Sequence, residues 1–441
     1  MKKKILLVAV LQLFLVLNSC SSDSGDNSTP TPEPPVVVIK TAKITSYSKN
    51  SGETGETVTM YGENFSEKVS EIKITFDGVV ATIVSATATE IVFKLPATDK
   101  LLPKLELTIE NRTIVNEVKN IYNGDIGILP THSLTNWITQ ENSLQEDGEI
   151  PYIQMISDKI LYLNSKRTGA GIYRTLDGGI TWNQWAVNGF NAGFYATAND
   201  EGWSHTGFGV SKITKGGYLG IDTFANFGSE KDIQTPYCLY VDDDMRNGTW
   251  VSQNGKVFVT SNGVDFTKVY EIVDNVVNLF QATQIDNNHI WAIGYKAIKN
   301  KEGITGNRAF ILFKNNTTDG WKEYPFVNEE AGYYAREVSF ADNENGFLLI
   351  NNYSTLDVKL FKTTNGGDTW VQVYNGEKFT KFTFKDTNTG WAVLDNKIYK
   401  TINGGSVWTL DYTNNQPIKN ISYKNNVVWA ISTDKIIKRY L

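Results

Sequence analysis

Three eight-residue stretches of this chain share one pattern, Thr-x-Asx-Gly-Gly-x-x-Trp: TLDGGITW at 175–182, TTNGGDTW at 363–370 and TINGGSVW at 401–408. Each follows an alternating run that reads as a strand: Ile172-Tyr173-Arg174, Leu360-Phe361-Lys362 and Ile398-Tyr399-Lys400. A worn copy, TSNGVDF, stands at 260–266. A second element, a small or turn residue followed by an aromatic and an aliphatic one, recurs at Gly202-Trp203, Thr249-Trp250, Ile290-Trp291, Gly346-Phe347, Gly390-Trp391 and Val428-Trp429. Trp370 to Trp408 and Trp391 to Trp429 are both steps of 38 residues. A unit of that length cannot bury its apolar face alone, so such units must stack on one another.

Each unit reads as strand, Gly-Trp strand, strand, Asx-Gly-Gly turn, Trp strand, which makes a four-stranded sheet. Units begin near 150, 190, 236, 275, 333, 379 and 416. The last stops after three strands at the carboxyl end, while Asn136-Trp137-Ile138-Thr139 stands alone ahead of the first. If the strand near 135–140 completes the last unit, the ring closes and both terminal edges are hidden. Residues 131–441 are therefore expected to form a seven-bladed β-propeller. The repeat turns resemble the Asp-box, or bacterial neuraminidase repeat, of sialidases, sortilin and the photosystem II assembly factor propellers. In such a turn the Asx side chain accepts backbone N–H bonds, the glycines supply positive φ, and the tryptophan packs between sheets. Asp177, Asn365 and Asn403, with Trp182, Trp370 and Trp408, are accordingly expected to be structural.

The rest of the chain divides in the same strand-rich manner. With 21 Tyr, 21 Phe, 11 Trp and 36 Gly against 4 Met, composition favours an all-β protein. Residues 41–122 alternate in short runs such as Ile72-Lys73-Ile74-Thr75-Phe76, and SGETGETVTMYGENF at 51–65 resembles the opening of an IPT/TIG domain, an immunoglobulin-like sandwich. That resemblance implies a spacer, with Phe65 as a core plug.

Ahead of it, Met1-Lys2-Lys3-Lys4 opens a run that is apolar from Ile5 to Leu17 except at Gln12, ending in Leu17-Asn18-Ser19-Cys20. Thirteen residues fall short of the roughly 20 needed to span a bilayer. The segment resembles a bacterial lipoprotein signal, with 1–19 removed and Cys20 lipidated. Residues 20–40 then form a Ser/Pro-rich tether, in which Asp23 and Asp26 resemble the acidic export cues of Bacteroidetes surface lipoproteins. The expected location is the outer membrane, facing the cell exterior, with the periplasmic face as the alternative.

Charge and motifs narrow the function. A formal charge of −6 gives no general attraction to nucleic acid. Two cysteines and three histidines lack zinc spacing, so no metal or cofactor is expected. Asp242-Asp243-Asp244 reads as a solvated turn. No His-Glu-x-x-His, Gly-x-Ser-x-Gly or Walker-type motif occurs, and none of the seven arginines precedes Ile-Pro as in sialidases. Catalysis is not expected, a glycoside hydrolase being the enzymatic alternative and an envelope assembly factor or chaperone a third. In propellers of this kind, ligands sit on the loop face opposite the repeat turns. Here that face is expected to carry Arg167, His205, Tyr295, Tyr333, Tyr334, Arg336 and Tyr353, the tyrosines at 295, 333, 334 and 353 lying in insertions. Exposed rings flanked by amides suit a glycan or an envelope protein partner.

Overall fold

The computed structural model describes residues 41–130, 135–141, 150, 152–165, 171–187, 193–206, 209–217, 225–230, 236–273, 276–299, 303, 305–318 and 320–441. Cys20 and Arg167 lie outside these residues, as does the His205 side chain. The described residues form strands joined by turns, with one short 3-10 segment at Val69–Glu71. Among them no helix is long and apolar enough to cross a membrane.

The amino-terminal domain is a sandwich. One sheet orders Lys43–Tyr47, Thr57–Glu63, Glu90–Lys94 and Thr82–Ala86; the other orders Val79–Val80, Ile72–Phe76, Leu105–Ile109 and Arg112–Ile114. Alternation along Thr57–Glu63 sends Val58, Met60 and Gly62 inward, where Val58 and Met60 meet Ile74, Phe76, Ile91 and Phe93 in one core. A one-residue slip would expose that whole set, so burial fixes the register. Phe65 is buried in this core. Position 62 must be glycine because a Cβ there would stand 2.2 Å from both the Phe65 ring and the Lys43 carbonyl oxygen.

Between Ile138 and Tyr440 the described residues form seven sheets, six of four strands and one of three. Their inner strands are Ile153–Met155, Phe194–Ala196, Pro236–Val241, Val277–Asp286, Tyr333–Phe340, Lys381–Phe384 and Ile418–Lys424. From Phe194–Ala196 onward each packs against the next, and Ile418–Lys424 packs against Ile153–Met155. The remaining step is bridged by Gln154, whose side chain donates to the Ala196 carbonyl and accepts from its amide, both at 2.9 Å. The inner strands thus run in a closed circle. Trp203, Trp250, Trp291, Trp391 and Trp429 on the second strands are at most 2% exposed and fill the space between sheets.

The sheet of Ile418–Lys424, Val427–Ser432 and Lys435–Tyr440 takes its outer strand from the other end of the sequence. Ile138–Glu141 pairs antiparallel with Lys435–Tyr440, Ile138 opposite Lys438. Asp411 of the preceding sheet binds three elements at this seam. Its carboxylate accepts from Trp137 Nε1 at 3.1 Å, Trp391 Nε1 at 3.2 Å and Arg439 Nη1 at 2.9 Å. The ring is therefore closed by a ladder and by a shared charge.

The sandwich is fastened to this seam. Gly127–Leu129 pairs in parallel with Ser51–Glu53, and Thr54 N donates to the Leu129 carbonyl at 2.8 Å. Leu101, Tyr122 and Leu129 then share an apolar cluster with Ile180, Trp429 and Ile436 of the ring. Tyr122 Oη donates to Asp177 Oδ2 at 2.6 Å, and Lys159 Nζ donates to Glu53 Oε1 at 2.6 Å. Burial first, and then the Asp177 carboxylate, push the Tyr122 phenol above its ordinary value.

Two outcomes test this architecture. Deleting 131–141 strips the outer strand from Lys435–Tyr440, and the exposed edge should aggregate or lower the melting temperature sharply in calorimetry. Tyr122→Phe should lower the stability of the whole Ala42–Leu441 unit by about 1.5–3 kcal/mol in denaturant titration, since it removes a bond to a charged acceptor. Loss confined to the sandwich would show the two parts to be uncoupled.

Candidate functional site

The repeat turns mark one end of the ring. Gly366 N donates to the Glu344 carbonyl at 2.8 Å, Gly404 N to Asn388 at 2.9 Å and Gly178 N to Lys159 at 2.9 Å. Each turn therefore docks on the hairpin that joins the first and second strands of its own sheet. Tyr333–Phe340 runs towards that hairpin and Gly346–Asn352 runs away from it. Tyr334, at the start of one, and Tyr353, just after the other, consequently stand at the opposite end.

Strand length raises this end in the sheet that carries Tyr295. His289–Lys299 and Thr305–Lys314 run 11 and 10 residues, where Gly390–Leu394 runs 5. Tyr295 is thus a strand residue on an extended hairpin, and Tyr333 and Tyr334 open a strand, which corrects their expected placement in loop insertions. Bulges do the fine aiming. The register shifts between Leu279 and Gln281 and again between Ala335 and Glu337, leaving Phe280 and Arg336 as the extra residues. A bulge re-aims side chains locally, and here it puts an aromatic and a guanidinium at the rim.

The rings converge. Tyr334 and Tyr353 stack at 4.0 Å between centroids with an 18° interplanar angle. Tyr295 meets Tyr353 edge-on at 6.5 Å, and Phe280 meets Tyr334 at 5.9 Å and Tyr295 at 6.5 Å. Tyr353 is 53% exposed, so one of its faces rests on Tyr334 while the other is open. Burial, and then the neighbouring Tyr334 and Tyr295, push its phenol above the ordinary value. Beside it lies a pocket of about 190 Å³ lined by Tyr334, Arg336, Asn351, Tyr353, Leu356 and Lys378. Arg336 Nη1 donates to the Asn351 side-chain oxygen at 2.9 Å when that amide faces it.

Tyr333 does not join this group. It is only 4% exposed, its hydroxyl donates to Asp357, and Lys359 Nζ lies 4.7 Å above its ring. Strand alternation sends it into the core while its neighbour Tyr334 faces the rim. The expectation that Tyr333 is a ligand-binding ring is corrected accordingly. Phe280, Asn351 and Lys378 were not evident from the sequence, because the bulge and the pairing that place them leave no local signal.

A cavity of about 1110 Å³ lies between the inner strands, at the centre of the ring. Its polar centre is internally satisfied: Gln281 Nε2 donates to Glu337 Oε2 at 3.0 Å, and Lys381 Nζ donates to Glu337 Oε1. The carboxylate of Asp342 at its mouth accepts from the Glu344 and Asn345 amides at 2.9 and 2.8 Å. Asp242 accepts from the Arg246 and Asn247 amides, both at 3.0 Å, and so caps its own turn.

Residues 42–123 match the IPT/TIG domain family. No curated protein matches the chain. Among solved structures it is similar to YCF48 from Cyanidioschyzon merolae, with 17% identity, 69% of this chain and 99% of that one covered, and a TM-score of 0.51. A second similar structure is YCF48 bound to D1 peptide, at 13% identity, covering 71% and 99%, with a TM-score of 0.48. A third is a GH74 xyloglucanase from Xanthomonas campestris, at 11% identity, covering 65% and 47%, with a TM-score of 0.42. At these identities the likeness shows the fold. The chain is an all-β protein with an IPT/TIG domain followed by a β-propeller.

The contrast between adjacent tyrosines is directly measurable. Tyr333→Ala should cost about 3–5 kcal/mol of stability, as large core deletions do, whereas Tyr353→Ala should leave the melting temperature within a degree or so. Equal effects in thermal unfolding would contradict this assignment of core and rim.

Proposed function

We propose that this chain is a lipid-anchored cell-envelope protein that binds a glycan through the aromatic rim at Tyr353. The observation that carries the reading is the open face of Tyr353, backed by Tyr334 and buttressed by Tyr295 and Phe280. An exposed ring held rigid from below presents an apolar platform at little cost in side-chain entropy. Sugar rings, with one apolar face and a polar edge, suit such a platform beside amides. The saturated partners of Glu337 and Asp342 favour binding over paired-carboxylate hydrolysis, since a general acid or base needs a proton-transfer path to substrate.

In this reading residues 1–19 are a signal, Cys20 carries the lipid, and 20–40 tether the protein to the outer membrane with its rim facing the exterior. The IPT/TIG domain holds the ring away from the bilayer. The repeat turns are Asp-boxes, and 131–441 form seven blades closed by the strand that pairs with Lys435–Tyr440. The signal's short apolar run and its cysteine support the anchor, and the continuous circle of inner strands supports the closure.

Cys20→Ser should move the protein from the membrane to the soluble fraction after salt washing. In an oligosaccharide array, Tyr353→Ala should weaken binding by about 1–3 kcal/mol with folding unchanged. An array with no response, together with capture of an envelope protein that Tyr353→Ala abolishes, would replace the glycan with a protein partner.

A further inference from the structure

We infer that the pocket beside Tyr353 is an acidic-sugar subsite, taking a hexuronate residue of an anionic polysaccharide. This inference rests on the glycan reading above and names its ligand class. Three observations carry it, and each concerns the same pocket.

The first is charge. Arg336 and Lys378 both line the pocket, and no carboxylate is among its lining residues. Among the described residues neither cation lies within ion-pair distance of an acid, whereas Lys296 is paired with Glu323 and Lys359 with Glu329. The chain as a whole carries −6, so a positive spot left unneutralised is a local feature against the general field. Arg336 is half-buried and, when the Asn351 amide faces it, donates to that side-chain oxygen at 2.9 Å, which leaves the rest of its donor fork for a planar acceptor. A carboxylate fits that fork with two parallel bonds, and shielding from water strengthens them. Lys378 is exposed and adds a weaker, screened attraction.

The second is shape. A volume of about 190 Å³ is below the roughly 300–1,000 Å³ of sites that enclose drug-sized ligands, so the pocket holds one ring-sized group of a longer chain. The third is the mixture of surfaces. Tyr353 offers an aromatic face and Leu356, which is 65% exposed, an apolar rim, while Arg336 and Asn351 offer donors. A hexuronate has the matching faces: a pyranose ring with axial hydrogens to lie on the tyrosine and a carboxylate at one edge to reach the guanidinium. A bare phosphate would leave the ring face unused, and a neutral sugar would leave the guanidinium uncompensated.

The test is isothermal titration of the full chain with tetragalacturonate, with tetramannuronate and with the carboxyl-reduced, neutral form of each. At least one acidic tetramer should bind about tenfold more tightly than its reduced form. Arg336→Gln should erase that preference while retaining binding of the neutral form, and Tyr353→Ala should weaken both. Circular dichroism of Arg336→Gln should show an unchanged fold, and Lys378→Gln, at an exposed position, repeats the charge test with a smaller loss. Equal affinity for acidic and reduced tetramers, lost in Tyr353→Ala, would overturn the acidic-sugar inference and leave the glycan reading standing. Binding of none of the four tetramers would overturn this inference, and the array described above decides the broader reading separately.

Discussion

A side-chain oxygen that accepts a backbone N–H four residues ahead is the bond on which this ring depends. Asp177 takes it from Thr181 at 2.9 Å, Asn365 from Thr369 at 2.9 Å and Asn403 from Val407 at 3.0 Å. The threonine two positions earlier adds a second, its hydroxyl accepting from Gly179, Gly367 and Gly405 at 2.7, 3.0 and 3.0 Å. Buried amides left without partners would cost about 1–3 kcal/mol each, so the turn is closed chemically and not merely by sterics. Both glycines of each turn sit at positive φ, between 67° and 101°. The worn copy shows what the pattern requires. It has one residue fewer between threonine and aromatic, and Asn262 instead accepts from Val264 and Asp265, both at 2.9 Å, with Phe266 buried where a tryptophan would stand.

These turns also join one sheet to the next. Trp291 Nε1 donates to the Gly366 carbonyl at 2.8 Å, Lys438 Nζ donates to the Gly178 carbonyl, and Lys362 Nζ donates to the Thr387 carbonyl at 2.9 Å beside Gly404. Each donor belongs to the sheet before the turn it holds. Three of the positions facing the second-strand aromatic carry lysine over its ring: Lys362 over Phe347, Lys400 over Trp391 and Lys438 over Trp429. Where that position is Phe313, the tryptophan itself supplies the donor. Lys438 is the extreme case, fully buried 3.5 Å above Trp429 at the closing seam. The indole face favours its charged form, as do Asp158 and Asp177, but burial is the larger effect and holds its amine well below the ordinary value.

The sequence displayed this scaffold because its constraints are local. Thr-x-Asx-Gly-Gly-x-x-Trp encodes a turn whose donors and acceptors lie within eight residues, and Gly-Trp pairs mark the strands between sheets. Gly62 and Phe65 were legible for the same reason, being three residues apart in one motif. The rim was only partly legible. Tyr295, Tyr334, Arg336 and Tyr353 stood out because the repeat does not demand them, but nothing in Tyr333-Tyr334 says which ring faces the core. That choice is made by the register against Asn352 and Asn351 and by the bulge at Arg336. Phe280 was hidden by a second bulge, and the docking of Tyr122 on Asp177 joins residues 55 apart in sequence.

The placement of the rim follows from the placement of the turns. Each of the three repeat turns docks on the first hairpin of its own sheet, and side chains of the preceding sheet donate to carbonyls there, so that end of the ring is committed to bonds the repeat residues make. Substitution there breaks a bond the neighbouring sheet also uses. At the other end a hairpin of one sheet is joined by backbone bonds to the inner strand of the next, Leu279 N donating to the Gln253 carbonyl at 2.9 Å and Ile418 N to the Asp395 carbonyl at 2.8 Å, and there strands lengthen or bulge without disturbing the turns, as His289–Lys299 and Tyr333–Phe340 do. A scaffold whose rim is held by backbone bonds, which do not depend on side-chain identity, is the arrangement that lets binding residues vary. The sandwich obeys the same division, since it fastens to Asp177 and Gly178 at the committed end and leaves the tyrosine rim open.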